Sequence, residues 1–296
     1  MKIVWRGSAL IVLVVALYYF FFRPYEFKAS FETKTLPGDI IQTIRIWNRS
    51  LDSAQIVEVD SFKRVRQRIF LGDREYLYDW YFQSDDSVTK VSVQISEPAH
   101  KLMNKMMVLI GEPPVKKDGT STARIFYTVL KQHLEITKVK VIGEERHQAE
   151  FCLCRSLEKD QFNKAQGMME NYLPMSSFIE ANGLRLSGLP SVRINEWSHS
   201  QGKLKYDFCF PILETDSLPV IEGLEYKRFN EFYALKAEYH GNFITSDRAW
   251  YELYQYASNS GYTTNGLPVE YFVDNPNFGT KEINWKAEIF LPVEGK

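Results

Sequence analysis

The sequence is poor in cysteine, has no excess of charge of either sign and contains no Gly-x-Ser-x-Gly nucleophile motif. Its three cysteines, Cys152, Cys154 and Cys209, are odd in number in a long chain, which excludes a disulfide scaffold. Because no second pair and no histidine stands at ligand spacing, three small buried apolar residues are a better interpretation than a zinc site. The formal net charge of −1 provides no field that attracts nucleic acid. From these residues we predict neither a metal site nor a cofactor.

A long apolar run occurs at the N-terminus, where residues 7–22 carry no charge and lie between Arg6 and Arg23. As a helix this run spans about 24 Å, somewhat short of a bilayer core of about 30 Å, but the flanking arginines can reach the interfaces. Bulky residues follow the run instead of a cleavage site, which favours an uncleaved signal anchor over residues 1–24. Lys2 and Arg6 favour an inside N-terminus, so we expect a single-pass membrane protein with most of the chain outside the cytoplasm.

The first half of the chain has the pattern of a strand, a helix, four strands and two helices. Apolar and polar residues alternate from Tyr25, and a proline-started helical pattern covers Pro37 to Trp47. Four strand-like runs with short polar turns follow up to about Glu97, and two helical stretches come next. A curved antiparallel sheet that grips a long C-terminal helix accounts for this order.

This order, together with the opening Phe-x-Ala-Ser-Phe strand at Phe27 and the Tyr-Asp-Trp-Tyr-Phe strand at Tyr78, resembles the START/polyketide-cyclase-like (SRPBCC) helix-grip domains over residues 25–140. The resemblance implies an apolar ligand cavity between sheet and helix. A packed aromatic core is an equal interpretation of the same residues.

The second half contains an internal repeat. The segment "SGLPSVRIN" from Ser187 matches "NGLPVEYFVD" from Asn265. Each copy opens with an alternating strand, continues with a helical stretch, and closes on a strand that ends in a proline, Pro211 or Pro292. Two fused strand-helix-strand-strand units would bury the faces that neither could bury alone, which predicts one pseudo-symmetric domain.

Three segments of the second copy resemble the GyrI-like fold, which also occurs as the effector-binding domain of AraC-type and multidrug-responsive regulators. They are "YHGNF" from Tyr239, "GLPVEYFVDNP" from Gly266 and "KAEIFLPV" from Lys286. The resemblance covers residues 145–296, with repeats at about 147–213 and 223–296. Together, the two resemblances imply an overall α+β class, with a helix-grip domain followed by a two-repeat GyrI-like domain.

Glu270 is an acidic residue in the short apolar strand of the second copy. Taken alone, such a residue most simply points to water. The resemblance instead matches Glu270 to a glutamate that faces cationic aromatic ligands in an apolar pocket between the repeats. In the first copy Val192 stands at this position, so the resemblance implies one asymmetric site.

The proposed walls of this pocket are aromatic. Phe272 shares a strand face with Glu270, although the family usually has tyrosine there. Trp250 and Tyr254 belong to a helical apolar stripe that fits either a core or a pocket, and Trp285 matches a position that is aromatic in some binding members.

Three functions are compatible with these observations. The first is a membrane-anchored protein that binds a small hydrophobic or cationic aromatic ligand through Glu270, Phe272, Trp285, Trp250 and Tyr254, with the membrane contacted by residues 7–22. The second is a small-molecule hydrolase of the same fold, with Glu270 as general base and Tyr254 or His240 as proton partner. The third is a protein-interaction module whose pocket is vestigial and filled by its own side chains. No basic recognition helix is evident, so we expect no direct contact with nucleic acid.

Overall fold

The computed structural model describes residues 2–60, 62–85, 88–275 and 281–294. The chain divides into two compact units, Met1–Lys131 and Gln132–Lys296. Within these described ranges, each unit combines helices with one antiparallel sheet, of five strands in the first unit and eight in the second. The predicted mixed α+β class is confirmed at this level.

The described residues of the first unit form five strands and four α-helices. The strands are β1 (Phe27–Thr33), β2 (Ala54–Asp60), β3 (Arg64–Leu71), β4 (Arg74–Asp85) and β5 (Val88–Ser96). The helices are α1 (Lys2–Leu17), α2 (Pro37–Arg49), α3 (Lys101–Ile110) and α4 (Pro114–Glu135). Helix α1 continues into a π-helical turn (Tyr18–Phe22), and the end of α4 extends past the division between the units. The sheet has the order β1-β5-β4-β3-β2, and its pairs are antiparallel.

Helix α4 packs closely on the sheet of the first unit. Phe126 on α4 lies 4.7 Å from the ring of Trp80 on β4 and 5.4 Å from that of Trp47 on α2. A Cβ atom added at Gly119 would lie 2.6 Å from the end of the Ile95 side chain, so glycine lets α4 approach β5 without a shift of that side chain. The alternating sequence of β4 supplies the apolar face that α4 covers.

The predicted membrane anchor is wrong. Among the described residues, no helix is both long and apolar enough to cross a membrane. The α-helical part of the N-terminal segment ends at Leu17, and its sequence includes Lys2 and Arg6. At about 1.5 Å per residue this helix is shorter than a bilayer core of about 30 Å. The finding overturns both the single-pass localisation and the membrane contact predicted for residues 7–22.

In the part of the second unit that the structure describes there are eight strands and two α-helices. The strands are β6 (Lys138–His147), β7 (Glu150–Asp160), β8 (Ser191–Ser198), β9 (Lys203–Pro211), β10 (Glu225–Phe229), β11 (Phe232–His240), β12 (Val269–Phe272) and β13 (Lys286–Pro292). The helices are α5 (Lys164–Ala181) and α6 (Arg248–Ser260), each preceded by a 3₁₀ turn, at Gln161–Asn163 and Phe243–Thr245. The sheet has the order β10-β7-β9-β8-β12-β13-β11-β6.

The two Gly-Leu-Pro segments make equivalent contacts. The Ser187 amide donates a hydrogen bond to the Pro211 carbonyl at 2.9 Å, and the Asn265 amide donates one to the Pro292 carbonyl at 3.2 Å. The strands that follow these segments, β8 and β12, are neighbours at the centre of the sheet. Within their register Val192 lies opposite Glu270.

The cysteines differ from the prediction. All three are buried on strands β7 and β9, as expected, but Cys154 and Cys209 face each other across the two strands and form a disulfide. Cys152 is free, and burial raises the pKa of its thiol to about 12. Because the two bonded cysteines are far apart in sequence, their pairing depends on the strand order and not on local spacing.

The sheet of the second unit has two faces of different character. On the face toward α5 and α6, side chains such as Val192, Phe272 and Ile289 belong to a large apolar core. On the opposite face Tyr271 and Phe290 belong to a much smaller apolar cluster. The alternation of side chains along each strand assigns neighbouring residues to opposite faces.

Candidate functional site

Glu270 lies on the helix-facing side of β12 and is fully buried. All four residues of β12 are buried, because the strand is central in the sheet and both of its faces are covered by apolar groups. Glu270 therefore does not point to water. A buried carboxylate needs a charged partner or several hydrogen bonds to remain ionised.

The partner of Glu270 is Lys164, the first residue of α5. The Lys164 Nζ atom lies 2.5 Å from both Glu270 carboxylate oxygens and donates a further hydrogen bond to the Ser246 hydroxyl at 2.7 Å. Ser246 in turn donates to Glu270 Oε2 at 3.0 Å. All three side chains are fully buried, so this ion pair is screened from solvent.

An aromatic ring covers the same ammonium group. Lys164 Nζ lies 4.8 Å from the ring centroid of Trp250, within the range of a cation–π interaction. Trp250 is itself fully buried and packs edge to face on Trp197 at 5.1 Å. The carboxylate, the hydroxyl and the indole ring thus form a site for one cationic group.

A second buried acid lies beside this site. Asp247 accepts a hydrogen bond from the Gln161 side chain, which also donates to the Tyr251 hydroxyl at 2.8 Å and accepts one from Trp197 at 3.0 Å. Burial raises the pKa of Asp247 to about 6, although the nearby Lys164 ammonium and the Gln161 hydrogen bond act to lower it. The network fixes the turn that precedes α5 against the turn that precedes α6.

A family model described as the GyrI-like small molecule binding domain matches residues 162–294. These residues form a GyrI-like domain. The match contains every member of the ion-pair site, from Lys164 to Glu270. A comparison with curated proteins gives no match.

Several solved structures are similar to this chain at low sequence identity. EcmrR in a complex with DNA is 14% identical over 67% of this chain and 72% of its own, with a TM-score of 0.46. A hydrolase from Listeria innocua is 14% identical over 51% of this chain and 92% of its own, with a TM-score of 0.37. SAV2435 bound to tetraphenylphosphonium is 14% identical over 53% of this chain and 94% of its own, with a TM-score of 0.36.

The predicted wall residues of the GyrI-like domain lie in one apolar core. Phe272 packs on Phe243 at 4.9 Å, and Phe243 packs on Trp285 at 5.7 Å. Tyr254 is half-buried, lies 6.1 Å from Trp197, and has its pKa raised to about 12 by burial. Phe272 and Trp285 thus reach each other through Phe243, whereas Tyr254 connects with Trp250 through Trp197.

His240, one of the two proton partners in the hydrolase alternative, does not lie beside Glu270. His240 ends β11, next to Tyr239, whose side chain belongs to the helix-side core. Alternation therefore assigns His240 to the opposite face of the sheet from Glu270.

Sequence reasoning missed Lys164, Ser246 and Asp247. The signal for Lys164 is its position, because it stands in register with Met168, Asn171 and Met175 on the buried stripe of α5. A lysine within an apolar stripe requires a buried partner, and Glu270 is a strand carboxylate with the same requirement. Ser246 and Asp247 carry no such periodic signal because they lie in an irregular turn.

A cavity of about 300 Å³ opens on the other face of the sheet. Its lining includes Glu145, His147, Glu150, Tyr271 and Phe290, and none of the predicted site residues lines it. The Tyr271 hydroxyl donates to Glu150 at 2.7 Å, and His147 stacks on the Tyr271 ring at 4.8 Å. The thickness of the sheet separates this cavity from Glu270. No group of three or more potential metal ligands occurs among the residues described.

Proposed function

We propose that the GyrI-like domain binds a small organic cation with aromatic bulk, and that Glu270 provides the charge that recognises it. One observation carries the proposal: the buried carboxylate already holds an ammonium group beneath the Trp250 ring. A carboxylate and an aromatic face that are buried from solvent attract a cation far more strongly than at an exposed surface.

The remaining residues supply apolar contact in this proposal. Trp250 covers the cationic centre, and Phe272 continues the strand face on which Glu270 lies. Trp285 and Tyr254 are only partly buried, which leaves part of each ring accessible at the margin of the core. Aromatic rings at such positions suit the hydrophobic part of a ligand.

The proposal is tested by calorimetric titration with the lipophilic aromatic cation tetraphenylphosphonium and with neutral triphenylphosphine oxide. Loss of a desolvated charge pair costs about 2–5 kcal/mol, and about 1.4 kcal/mol corresponds to one decade in affinity. We therefore expect Glu270→Gln to weaken binding of the cation at least tenfold and not to weaken binding of the neutral compound.

Glu288→Gln is the matched control. Glu288 lies one position before the core residue Ile289, so its side chain points to the opposite face of the sheet, and it pairs there with Lys236 and Lys286. Equal binding by wild type and Glu270→Gln would refute the assignment of Glu270. Absence of binding by wild type and by every variant of the site, up to the solubility limit of the salt, would refute the function.

A second candidate function is a protein-interaction module with a vestigial pocket. The observation that favours it is the complete occupation of the Glu270 site by Lys164, Ser246 and Trp250. Under this function no variant of the site binds an organic cation, so the same titration distinguishes the two candidates.

We also infer a two-repeat pseudo-symmetry for this domain and a helix-grip architecture for residues 25–140. The equivalent bonds of Ser187 and Asn265 to Pro211 and Pro292 support the first. The packing of α4 on the first sheet through Phe126 supports the second.

A further inference from the structure

We infer that Lys164 is a tethered occupant of the cation site, and that it determines which ligands the GyrI-like domain admits. This inference rests on the proposed function and adds that Lys164 competes with the ligand for Glu270. A ligand must displace the Lys164 ammonium from Glu270, and only a cation can replace the charge that leaves.

The contacts of Lys164 are those of a bound ligand. An ammonium group has three N–H donors, and Lys164 Nζ has three oxygen acceptors, the two Glu270 oxygens and the Ser246 hydroxyl. The Trp250 ring lies beside the same atom at 4.8 Å. The hydrogen-bonding capacity of this ammonium is thus fully used inside the domain.

The position of Lys164 in the chain allows it to leave. It is the first residue of α5 and follows a short 3₁₀ turn, so its release requires a change at a helix end and not in the helix interior. Its backbone is held separately, because the Tyr206 hydroxyl donates to the Lys164 carbonyl at 3.1 Å. The flexible side chain can therefore swing out while the start of α5 remains in place.

The tethered ammonium determines whether a neutral molecule or a cation can bind at the site. A neutral molecule that displaced Lys164 would leave the Glu270 carboxylate buried without a partner, which is strongly unfavourable. A cation restores the pairing and avoids this cost. Because the site is free of Lys164 for only a fraction of the time, the apparent affinity for any ligand is reduced by that fraction.

Calorimetric titration of wild type, Lys164→Ala, Lys164→Ala/Glu270→Gln and Lys159→Ala with tetraphenylphosphonium tests the inference. Lys159→Ala is the matched control, because it removes the same charge from a lysine that pairs with Glu170 on the surface. We expect Lys164→Ala to bind the cation at least tenfold more tightly than wild type. Lys159→Ala should bind like wild type, and the double variant should lose the gain.

The outcomes separate the two proposals. Equal binding by wild type and Lys164→Ala, with loss in Glu270→Gln, overturns the tethered competitor and leaves the proposed function standing. Binding by neither protein overturns the proposed function together with the competition that depends on it. Binding by Lys164→Ala alone supports both. Lys164→Met, which keeps more of the side-chain volume, replaces the alanine variant if the latter does not fold.

A measurement on the wild-type protein requires no variant. Reductive methylation with formaldehyde, mapped by mass spectrometry, reports which lysine amines are accessible. We expect Lys164 to be protected in the free protein, because its ammonium is fully buried, and to become methylated when tetraphenylphosphonium saturates the site. Continued protection of Lys164 in protein that demonstrably binds the cation would overturn the inference.

Discussion

At the scale of single residues, the pair of Lys164 and Glu270 is the main electrostatic feature in the large core of the second unit. Both side chains are fully buried, and each is the charged partner of the other at 2.5 Å. Removing one member of such a pair leaves an uncompensated charge and costs about 3–5 kcal/mol, whereas replacing both by apolar residues is often neutral or stabilising. Each member of the pair therefore needs the other in order to remain buried, but the pair as a whole is not a source of net stability.

We expect Lys164→Met to lower the free energy of unfolding by about 3–5 kcal/mol, and Lys164→Met/Glu270→Leu to recover most of that loss. Urea denaturation of the three proteins measures both values. Lys159→Met, at the surface, should change stability by less than about 0.5 kcal/mol. The interpretation would be contradicted by a double variant that is less stable than Lys164→Met.

Glu26, in the first unit, is a buried acid whose protonation makes the stability of the fold depend on pH. Its Oε2 atom accepts a hydrogen bond from the Glu97 amide at 2.7 Å, and its side chain is buried. Burial raises the pKa of Glu26 to about 7, although the Glu97 amide and the nearby Lys101 and Lys105 act to lower it. The folded unit thus retains a proton that the unfolded chain releases near pH 4.5.

The stability contributed by the Glu26 proton is fully present below pH 4.5 and is lost as pH rises to about 7. The slope from this one group is at most about 1.4 kcal/mol per pH unit. We expect Glu26→Gln to remove this part of the pH dependence, so that its stability relative to wild type increases between these limits. Thermal unfolding at a series of pH values tests the expectation, which parallel profiles for the two proteins would contradict.

At the scale of elements, α5 explains why part of the site could be predicted and part could not. Glu270 could be selected because its strand is short and apolar and because its segment resembles a known family. Lys164 has the right helical spacing to be buried, but no local pattern connects α5 with β12. The two meet only because β8 and β12 are neighbours in the sheet, which is a property of tertiary structure.

Helix α5 also lies very close to β9, which allows a direct test of how the helix packs on the sheet. A Cβ atom at Gly167 would lie 2.2 Å from the Tyr206 hydroxyl, the group that holds the Lys164 carbonyl. We expect Gly167→Ala to destabilise the protein by about 1–3 kcal/mol, despite the better helix propensity of alanine. Adding Tyr206→Phe removes the clashing oxygen and should restore part of this loss in urea denaturation. No difference between the single and double variants would place the strain elsewhere.

At the scale of the whole molecule, the sequence predicted the elements better than their connections. Helix α2 was expected from Pro37 to Trp47 and extends from Pro37 to Arg49, because a proline start and helical spacing are local signals. The eight-stranded sheet could not be predicted in the same way. Its edge strand β6 lies before the first repeat, and the partners of both edge strands, β6 and β10, are distant in sequence.

The role of β6 can be tested with two fragments of the second unit. Strand β6 pairs with β11 along its length, and the compact unit begins at Gln132. We expect residues 132–296 to fold and residues 145–296 to be less stable, because the shorter fragment exposes the hydrogen-bonding groups of β11. Circular dichroism melting of both fragments measures the difference. Equal melting temperatures would mean that β6 is dispensable.

The disulfide described above makes part of the second unit a closed covalent ring. Cys154 and Cys209 are 55 residues apart, and the segment between them includes α5 and β8. In the chain-entropy model, closing a loop of this size removes about 4 kcal/mol of conformational freedom from the unfolded chain. This is comparable with the loss of one partner from a buried ion pair. We therefore expect the loss of Lys164 to destabilise the fold more severely in the reduced chain than in the oxidised chain.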